Sequence, residues 1–403
     1  MDELTLLIGE TGDYVLLKDA PDDEYLAYLA ELGLGLPSVL SPRSKHPGLT
    51  VTEDVLADPV LLSELSRLAA QGHLLVPHGI SETEERLARQ AALLLAGPPA
   101  RTCKRVNSKV YSRRLGEELG LRQPTGWACS DLTELEEAVA AATELLAAGH
   151  RVAFKDAFGV SGKGIVVVKD RHRLDQVHRM VVRNVMRSDS NQLSLVVEDW
   201  LDGCDDLNYQ FTIGHDGSIT FDFVKGAITR GGVHLGHRIP ASLSRRQDAT
   251  LADCALLIGS RMFAHGHFGV VGVDALIGPD EELYPIIEIN ARNNMSTYQA
   301  RLQERFVEAG KVALAKPYQI KLTQPVKFAK LHAALGSLLF CRTAGTGFLL
   351  NSFATLNAAA PVSGLPPFPA FEGRVYGLVV ARSWHQAAAL DHAVATALAG
   401  LQG

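Results

Sequence analysis

The chain has 403 residues, 47% of them hydrophobic, and a formal net charge of -6. That is enough apolar material for two to four domains at roughly 100–200 residues each, and the charge balance excludes a polycation that binds nucleic acid. Five scattered cysteines with no CxxC pair exclude a disulfide framework or zinc ribbon, the acidic start "MDELTLLIGE" is no signal peptide, and no apolar run approaches the roughly 20 residues of a membrane helix, so a cytoplasmic protein without nucleic-acid or membrane partners is expected.

In chain order, "LTLLIG" (4–9) reads as a buried strand, "DDEYLAYLAELGLG" as a helix stopped by glycine, and "SVLSP" as a second strand. "DPVLLSELSRLAAQG" is a helix started by Asp58 and Pro59, and "HLLVPHGIS" a third strand. "SETEERLARQAALLLAG" opens on a Ser81/Glu84 capping box and runs to Gly97. Strands alternating with helices predict a parallel sheet covered on its faces. No GxGxxG follows the first strand, so this unit is expected to shape a substrate site rather than to bind a dinucleotide.

After the "GPPA" linker (97–100), a helix stops at Gly120 and Pro124 precedes a strand. Asp131 caps the amphipathic helix "DLTELEEAVAAATELLAAGH". "RVAFKDA", a glycine loop and "GIVVVKD" follow, then the helix "HRLDQVHRMVVRNVM" and the strand "LSLVVEDWL". "LNYQFTIGHDGSITFDFVKGAI" is a hairpin, "DATLADCALLIGSRMFAHGH" a helix and "FGVVGVDALIGPDEELYPIIEIN" a second hairpin. Another helix follows after Tyr298. The tail holds the apolar "LHAALGSLLF", a proline-rich loop, the strand "RVYGLVVARS" and a closing helix.

Three stretches carry chemistry. The loop between the two β-runs is not a P-loop: Ala157 stands where its first glycine would be, and Lys163 is followed by Gly164 rather than Ser or Thr. The following "IVVV" is β-branched, so the loop joins two strands as a hairpin lid. Gly159, Gly162 and Gly164, with Ser161 between them, permit close approach of backbone N–H groups to an anion, while Lys155 and Lys163 bring point charges; a flexible hairpin with a solvated lysine fits the same residues. "VVEDWLDGCDD" places Glu198, Asp199, Trp200 and Leu201 at a strand exit that can serve as a nucleotide hinge, with Asp205 available to ribose hydroxyls. A plain strand-to-turn exit is the alternative there. In the second long hairpin Asp274 lies on one strand and Glu288 and Asn290, two apart and so on one face, lie on the other. Two carboxylates and an amide on otherwise apolar strands make a hard-cation site, because a core tolerates such groups poorly without a partner.

A phosphate loop on a hairpin, an acidic hinge and then Asp…Glu-x-Asn, in this order, resemble the ATP-grasp superfamily of carboxylate ligases, with spacing similar to D-alanine–D-alanine ligases and biotin carboxylases. The resemblance covers about residues 101–300, and residues 1–100 resemble that superfamily's pre-ATP-grasp domain. It implies an α/β fold, α+β in the ATP-binding part: a pre-ATP-grasp α/β domain (1–100), a central lid subdomain (101–205), a catalytic subdomain (206–316) and an extension (317–403) that completes or caps it. It implies that Lys109 and Lys155 hold ATP phosphates, that Glu198, Asp199, Trp200 and Leu201 frame the adenine, that Asp205 (with Asp206 as an alternative) meets the ribose, and that Asp274, Glu288 and Asn290 hold magnesium. Arg292 is then placed to hold an acyl phosphate or substrate carboxylate. The superfamily's frequent arginine two residues before the first metal carboxylate is Gly272 here, which leaves Lys225, Arg230 and Arg238 of "KGAITRGGVHLGHRIP" as candidates for that duty, or that stretch as a basic surface loop.

The implied cofactors are ATP and Mg²⁺, with two ions expected and Mn²⁺ as a substitute. The implied partners are a carboxylate and an amine or thiol acceptor, free or on a peptide or carrier protein, with a homodimer among the allowed assemblies. The implied activity is ADP-forming ligation through an acyl phosphate; a nucleotide-binding regulator and a phosphotransferase are the other readings.

Overall fold

The computed structural model describes residues 2–159, 164–187, 193–231, 233–361 and 369–401. The chain opens with a 3-10 helix over Asp2–Leu7, not the strand expected for 4–9. Leu4, Leu6 and Leu7 are all fully buried. A strand would send the adjacent Leu6 and Leu7 to opposite faces, whereas a tight helical turn accommodates both in one core. Then come β1 (Tyr14–Leu16), α1 (Asp23–Glu31), β2 (Ser38–Leu40), α2 (Val51–Leu56), α3 (Pro59–Ala70), β3 (Leu74–Leu75), α4 (Glu82–Gln90) and β4 (Leu94–Leu95). β1–β2 and β3–β4 pair in parallel as expected, but as two separate two-stranded sheets.

The Ser81/Glu84 capping box is present, yet α4 stops at Gln90 rather than running to Gly97. The Leu93 N–H donates to the Ala88 carbonyl (2.9 Å) and Ala92 takes φ 54°. This is a Schellman closure built on alanine, a residue that seldom adopts the left-handed conformation. Leu94 and Leu95 are thereby released to form a strand.

α5 (Ala100–Val106) and α6 (Lys109–Glu118) lead into a four-stranded antiparallel sheet of β5 (Gly126–Cys129), β6 (Val152–Asp156), β7 (Ile165–Val168) and β8 (Leu195–Asp199), ordered β5-β8-β6-β7. α7 (Leu132–Ala147) and α8 (Arg171–Arg187) cover one face, over Phe154 and Val197. Strand alternation sends Lys155, Val196 and Glu198 to the other face, where Val196 meets Val110 of α6.

The remaining strands form one eight-stranded sheet. They are β9 (Asp205–Ile213), β10 (Ile219–Arg230), β11 (Val233–Ile239), β12 (Gly269–Ile277), β13 (Leu283–Asn290), β14 (Val312–Leu322), β15 (Gly347–Ser352) and β16 (Phe371–Ala381), ordered β13-β12-β9-β10-β11-β14-β16-β15. The stretch considered as a basic surface loop thus forms the paired strands β10 and β11. α9 (Arg245–Ala264) packs Ile258 and Met262 against Tyr209 and Phe211. α10 (Met295–Phe306), α11 (Phe328–Leu335), α12 (Ala354–Asn357) and α13 (Trp384–Ala399) complete the chain.

The C-terminal strands share a core with the N-terminal segment: Leu4, Tyr25 and Leu29 pack with Phe328, Phe348 and Leu378. The buried Glu3 carboxylate accepts from Ser352 Oγ (2.9 Å), Phe353 N–H (2.6 Å) and Ala354 N–H (2.7 Å). The two ends of the chain therefore clamp one another, and the loop after β3 is held against the segment that follows β13 of the eight-stranded sheet.

Candidate active site

The register of the large sheet sets Glu288 opposite Asp274, Asp274 opposite Asn208, and Asn208 opposite Lys225. These four residues from four strands form one row on one face, while Leu207, Tyr209, Val273 and Ile289 turn into the core behind it. Asp274 Oδ1 accepts from Asn208 Nδ2 (2.8 Å) and Oδ2 from Asn290 Nδ2 (3.2 Å). Burial, then the neighbouring Glu288 charge, push the Asp274 carboxyl up to about 7. Behind it Ser296 Oγ donates to Asn208 Oδ1 (2.9 Å) and lies 3.0 Å from His237 Nε2. Two crowded carboxylates flanked by amides suit a divalent cation, whose charge would relieve their repulsion; among the described residues no cage of three His, Cys, Asp or Glu side chains competes for it.

α6 supplies the opposite wall. Ser108 caps it, and Lys109 is its first residue. Ser112 Oγ accepts the Ile289 N–H (2.9 Å), which fixes the helix against β13. Lys109 Nζ, on a side chain only 5% exposed, lies 2.9 Å from Glu288 Oε1 and donates to the Gly159 carbonyl (2.6 Å). Lys109 thereby joins the glycine loop to the acidic ribbon. Lys155 forms a buried ion pair with Glu198, whose other oxygen lies 3.9 Å from Arg113 Nη1. Gly164 has φ 83°, and a Cβ there would come within 3.0 Å of Asp156 Cβ, so this end of the loop requires glycine. Ser161, Gly162 and Lys163 lie outside the described residues.

The hinge residues divide between faces. Glu198 joins Lys155, but the Asp199 carboxylate turns the other way to His150 Nδ1 (3.0 Å). The Asp199 and Trp200 N–H groups already donate to the Thr125 and Arg151 carbonyls (2.7 and 2.8 Å). Trp200 and Leu201 border an open cavity of about 430 Å³ with Arg151, Pro279 and Tyr284. Asp205 is exposed, whereas Asp206 is half-buried on the Asn208 face and accepts the Thr229 hydroxyl (2.5 Å). Burial raises the Asp206 carboxyl above its ordinary range.

The three basic candidates also separate. Lys225 is wholly buried, donates to the Ser296 carbonyl (2.9 Å) and lies 4.1 Å from the Phe223 ring centroid; burial pulls its ammonium down to about 7. Arg238 pairs with Gly226, so it faces away from Lys225, and it is exposed. Arg230 is exposed at the end of β10. Neither arginine is brought to Asp274. Arg292 is: its Nη2 donates to Asn290 Oδ1 (3.0 Å). Sequence reading missed Asn208 and Ser296. The polar alternation Asp206, Asn208, Gln210 in "DLNYQF" was the available sign that β9 presents a polar face.

Residues 1–93 match the family model described as the Pre ATP-grasp domain, and residues 108–301 match that of the Carbamoyl-phosphate synthase L chain, ATP binding domain. The chain is 27% identical over 303 residues to the [butirosin acyl-carrier protein]--L-glutamate ligase of Niallia circulans; the aligned part covers 74% of this chain and 65% of that protein, just under two thirds of its length. Among solved structures, it resembles a Campylobacter jejuni biotin carboxylase complex at 14% identity and TM-score 0.59, covering 96% of this chain and 86% of that one. It also resembles a Staphylococcus aureus N5-carboxyaminoimidazole synthetase complexed with ADP at 12% identity and TM-score 0.55, covering 96% of this chain and 98% of that one. At these identities the structures establish the shared fold.

Proposed function

We propose that this member of the ATP-grasp superfamily is an ADP-forming ligase that activates a carboxylate as an acyl phosphate and joins it to an amine or thiol. The observation that carries the reading is the Lys109 ammonium set between the Gly159 carbonyl and Glu288, directly across from the buried Asp274. At rest the two lysines each have a counter-charge: Lys109 with Glu288, and Lys155 with Glu198. A triphosphate would take the two lysines and a cation would take Asp274 and Glu288, while Glu198 would keep Arg113, whose Nη1 lies 3.9 Å away.

Lys109 and Lys155 would hold the phosphates, Glu198 and the Trp200–Leu201 backbone would border the base, and Asp206, on the inner face of β9, would meet the ribose in preference to Asp205. Asp274, Glu288 and Asn290 would hold Mg²⁺, which when bound supplies charge neutralisation at the transferring phosphoryl group. Arg292 faces the carboxylate that is to be activated. Transfer of the γ-phosphoryl of ATP to a carboxylate oxygen gives the acyl phosphate; attack of the acceptor on its carbonyl carbon then breaks the C–O bond and releases phosphate.

The Niallia relative, by its name, acts on L-glutamate and an acyl-carrier protein. We extend this class to the present chain: an amino-acid carboxylate as donor and a carrier-bound thiol or amine as acceptor. The five free cysteines fit a reducing cytoplasmic setting. The test is incubation with Mg-ATP, L-glutamate and phosphopantetheinylated carrier protein, following ADP, phosphate and intact carrier mass. A ligase yields ADP, free phosphate and a carrier heavier by one glutamyl group. Phosphate retained on the product, or no ADP with any amino acid, would refute the reading.

A further inference from the structure

Among the described residues, His78, from the loop after β3, is the imidazole that the N-terminal domain brings against the segment following β13. Two backbone contacts hold it there: the Asn293 N–H donates to the His78 carbonyl (3.0 Å), and Asn293 Nδ2 donates to the Pro77 carbonyl (3.3 Å). The next residue, Gly79, abuts Arg292, since a Cβ placed on it would lie 3.6 Å from Arg292 Cδ. The His78 ring stacks on Tyr298 at a centroid distance of 5.8 Å and an interplanar angle of 8°, with Nδ1 2.6 Å from the Tyr298 hydroxyl.

This contact determines where the imidazole proton sits. Tyr298 is only 4% exposed, and burial pushes its phenol up to about 12, so it stays protonated. Among the described residues His78 Nδ1 is the partner found for that hydroxyl. A buried phenol loses stability if its proton goes unmatched, so Tyr298 donates and Nδ1 accepts. The neutral ring must then carry its proton on Nε2. Partial burial and the Arg292 charge hold His78 below its ordinary pKa, which keeps the ring neutral. The residue as a whole remains exposed, and among the described residues no hydrogen-bond partner is found for Nε2.

We propose that His78 is a substrate-binding residue: its Nε2–H, fixed in that tautomer by the Tyr298 hydroxyl, joins the Arg292 guanidinium in a two-donor clamp for the carboxylate of the acyl donor. Tyr298 is the positioning residue. Arg292 already directs an Nη2 hydrogen to Asn290 Oδ1, so a second donor from another domain would complete the pair that sets the carboxylate's angle. The identity of the anion rests on the ligase reading, and the tautomer and the clamp geometry do not.

The test uses two substitutions with opposite geometry. The side-chain amide of His78→Gln reaches the Nε2 position, whereas that of His78→Asn reaches only the Nδ1 position. L-Glutamate binding to the Mg-ADP-loaded protein is measured by calorimetry, with inorganic phosphate as a parallel probe. His78→Asn should weaken glutamate by about ten- to hundredfold, as expected for loss of a hydrogen bond to a charged group, while His78→Gln should retain most of the affinity. Tyr298→Phe should fall between them, and ¹⁵N spectra of its His78 should show mixed tautomers where the unaltered protein shows Nε2–H alone. ADP affinity should be unchanged in all three. Equal glutamate affinity in the Asn and Gln variants, an Nδ1–H tautomer in the unaltered protein, or a dependence on His78 seen with phosphate only would overturn the proposal. Absence of ligase turnover together with a preserved Gln/Asn contrast would instead remove the ligase reading and leave the clamp standing.

Discussion

The two walls of the cleft solve the same problem, burial of charge, in different ways. The lid wall, made by α6 and the four-stranded sheet, pairs opposite charges: Lys155 with Glu198, backed by Arg113. The ribbon wall places two like charges, Asp274 and Glu288, side by side and surrounds the first with amide donors from Asn208 and Asn290. The lid wall is satisfied without a ligand. The ribbon wall has only Lys109, across the gap, as a counter-charge, and on the proposed reading a cation would relieve its repulsion. A paired wall binds by exchanging partners and an unpaired wall by relieving repulsion, so the ribbon should govern turnover and the lid should govern affinity.

The largest effect should therefore come from the ribbon. Glu288→Gln keeps the shape and a hydrogen-bond acceptor for Lys109 but removes a metal charge, and kcat should fall by at least about a hundredfold with the melting temperature little changed. Near-normal kcat would dissolve the distinction between the walls. Lys155→Ala on the lid should act mainly on binding, weakening ATP by about ten- to a hundredfold in calorimetry, the range for a charge-assisted hydrogen bond; unchanged affinity would remove Lys155 from the phosphate site. A smaller effect, about fivefold or tenfold in nucleotide affinity, is expected for Asp206→Ala, with Asp205→Ala nearly silent. The reverse order would mean that the inner face of β9 does not face the ribose.

The smallest effect concerns stability on the ribbon side. His267, which precedes β12, is 2% exposed, neither ring nitrogen has a partner among the described residues, and burial lowers its pKa from 6.5 to about 4. The unfolded chain takes up this proton between pH 6.5 and about 4 while the folded chain does not, so the stability His267 confers is complete above pH 6.5 and is lost as pH falls toward 4. His267→Phe should flatten the dependence of melting temperature on pH in that window. An unaltered slope would show that the histidine finds a proton acceptor in the fold.

Much of the ribbon was legible because its signals are local. Asp274 on one strand and Glu288 and Asn290 on the next obey period-two alternation, and a hairpin brings them together without help from the rest of the chain. The Ser81/Glu84 capping box and most helices were legible for the same reason. What joins the walls was not. Lys109 and Glu288 are 179 residues apart, and His78 and Tyr298 are 220 apart. Their meeting depends on sheet order and domain docking, which no local pattern encodes. The opening turn of the chain was misread because an apolar run of that length suits a strand or a buried helical turn equally until its burial partners, Phe348 and Leu378 among them, are known. The end of α4 was hidden by Ala92 standing where a glycine is ordinarily found.

The central claim is that one triphosphate and its cation bridge the two walls. A crystal grown with Mn²⁺ and a non-hydrolysable ATP analogue, phased to show the manganese anomalous signal, tests it directly. The account predicts manganese on the Asp274 and Glu288 carboxylates and phosphates between Lys109 and Lys155. Manganese elsewhere, or phosphates seated away from both Lys109 and Lys155, would contradict it.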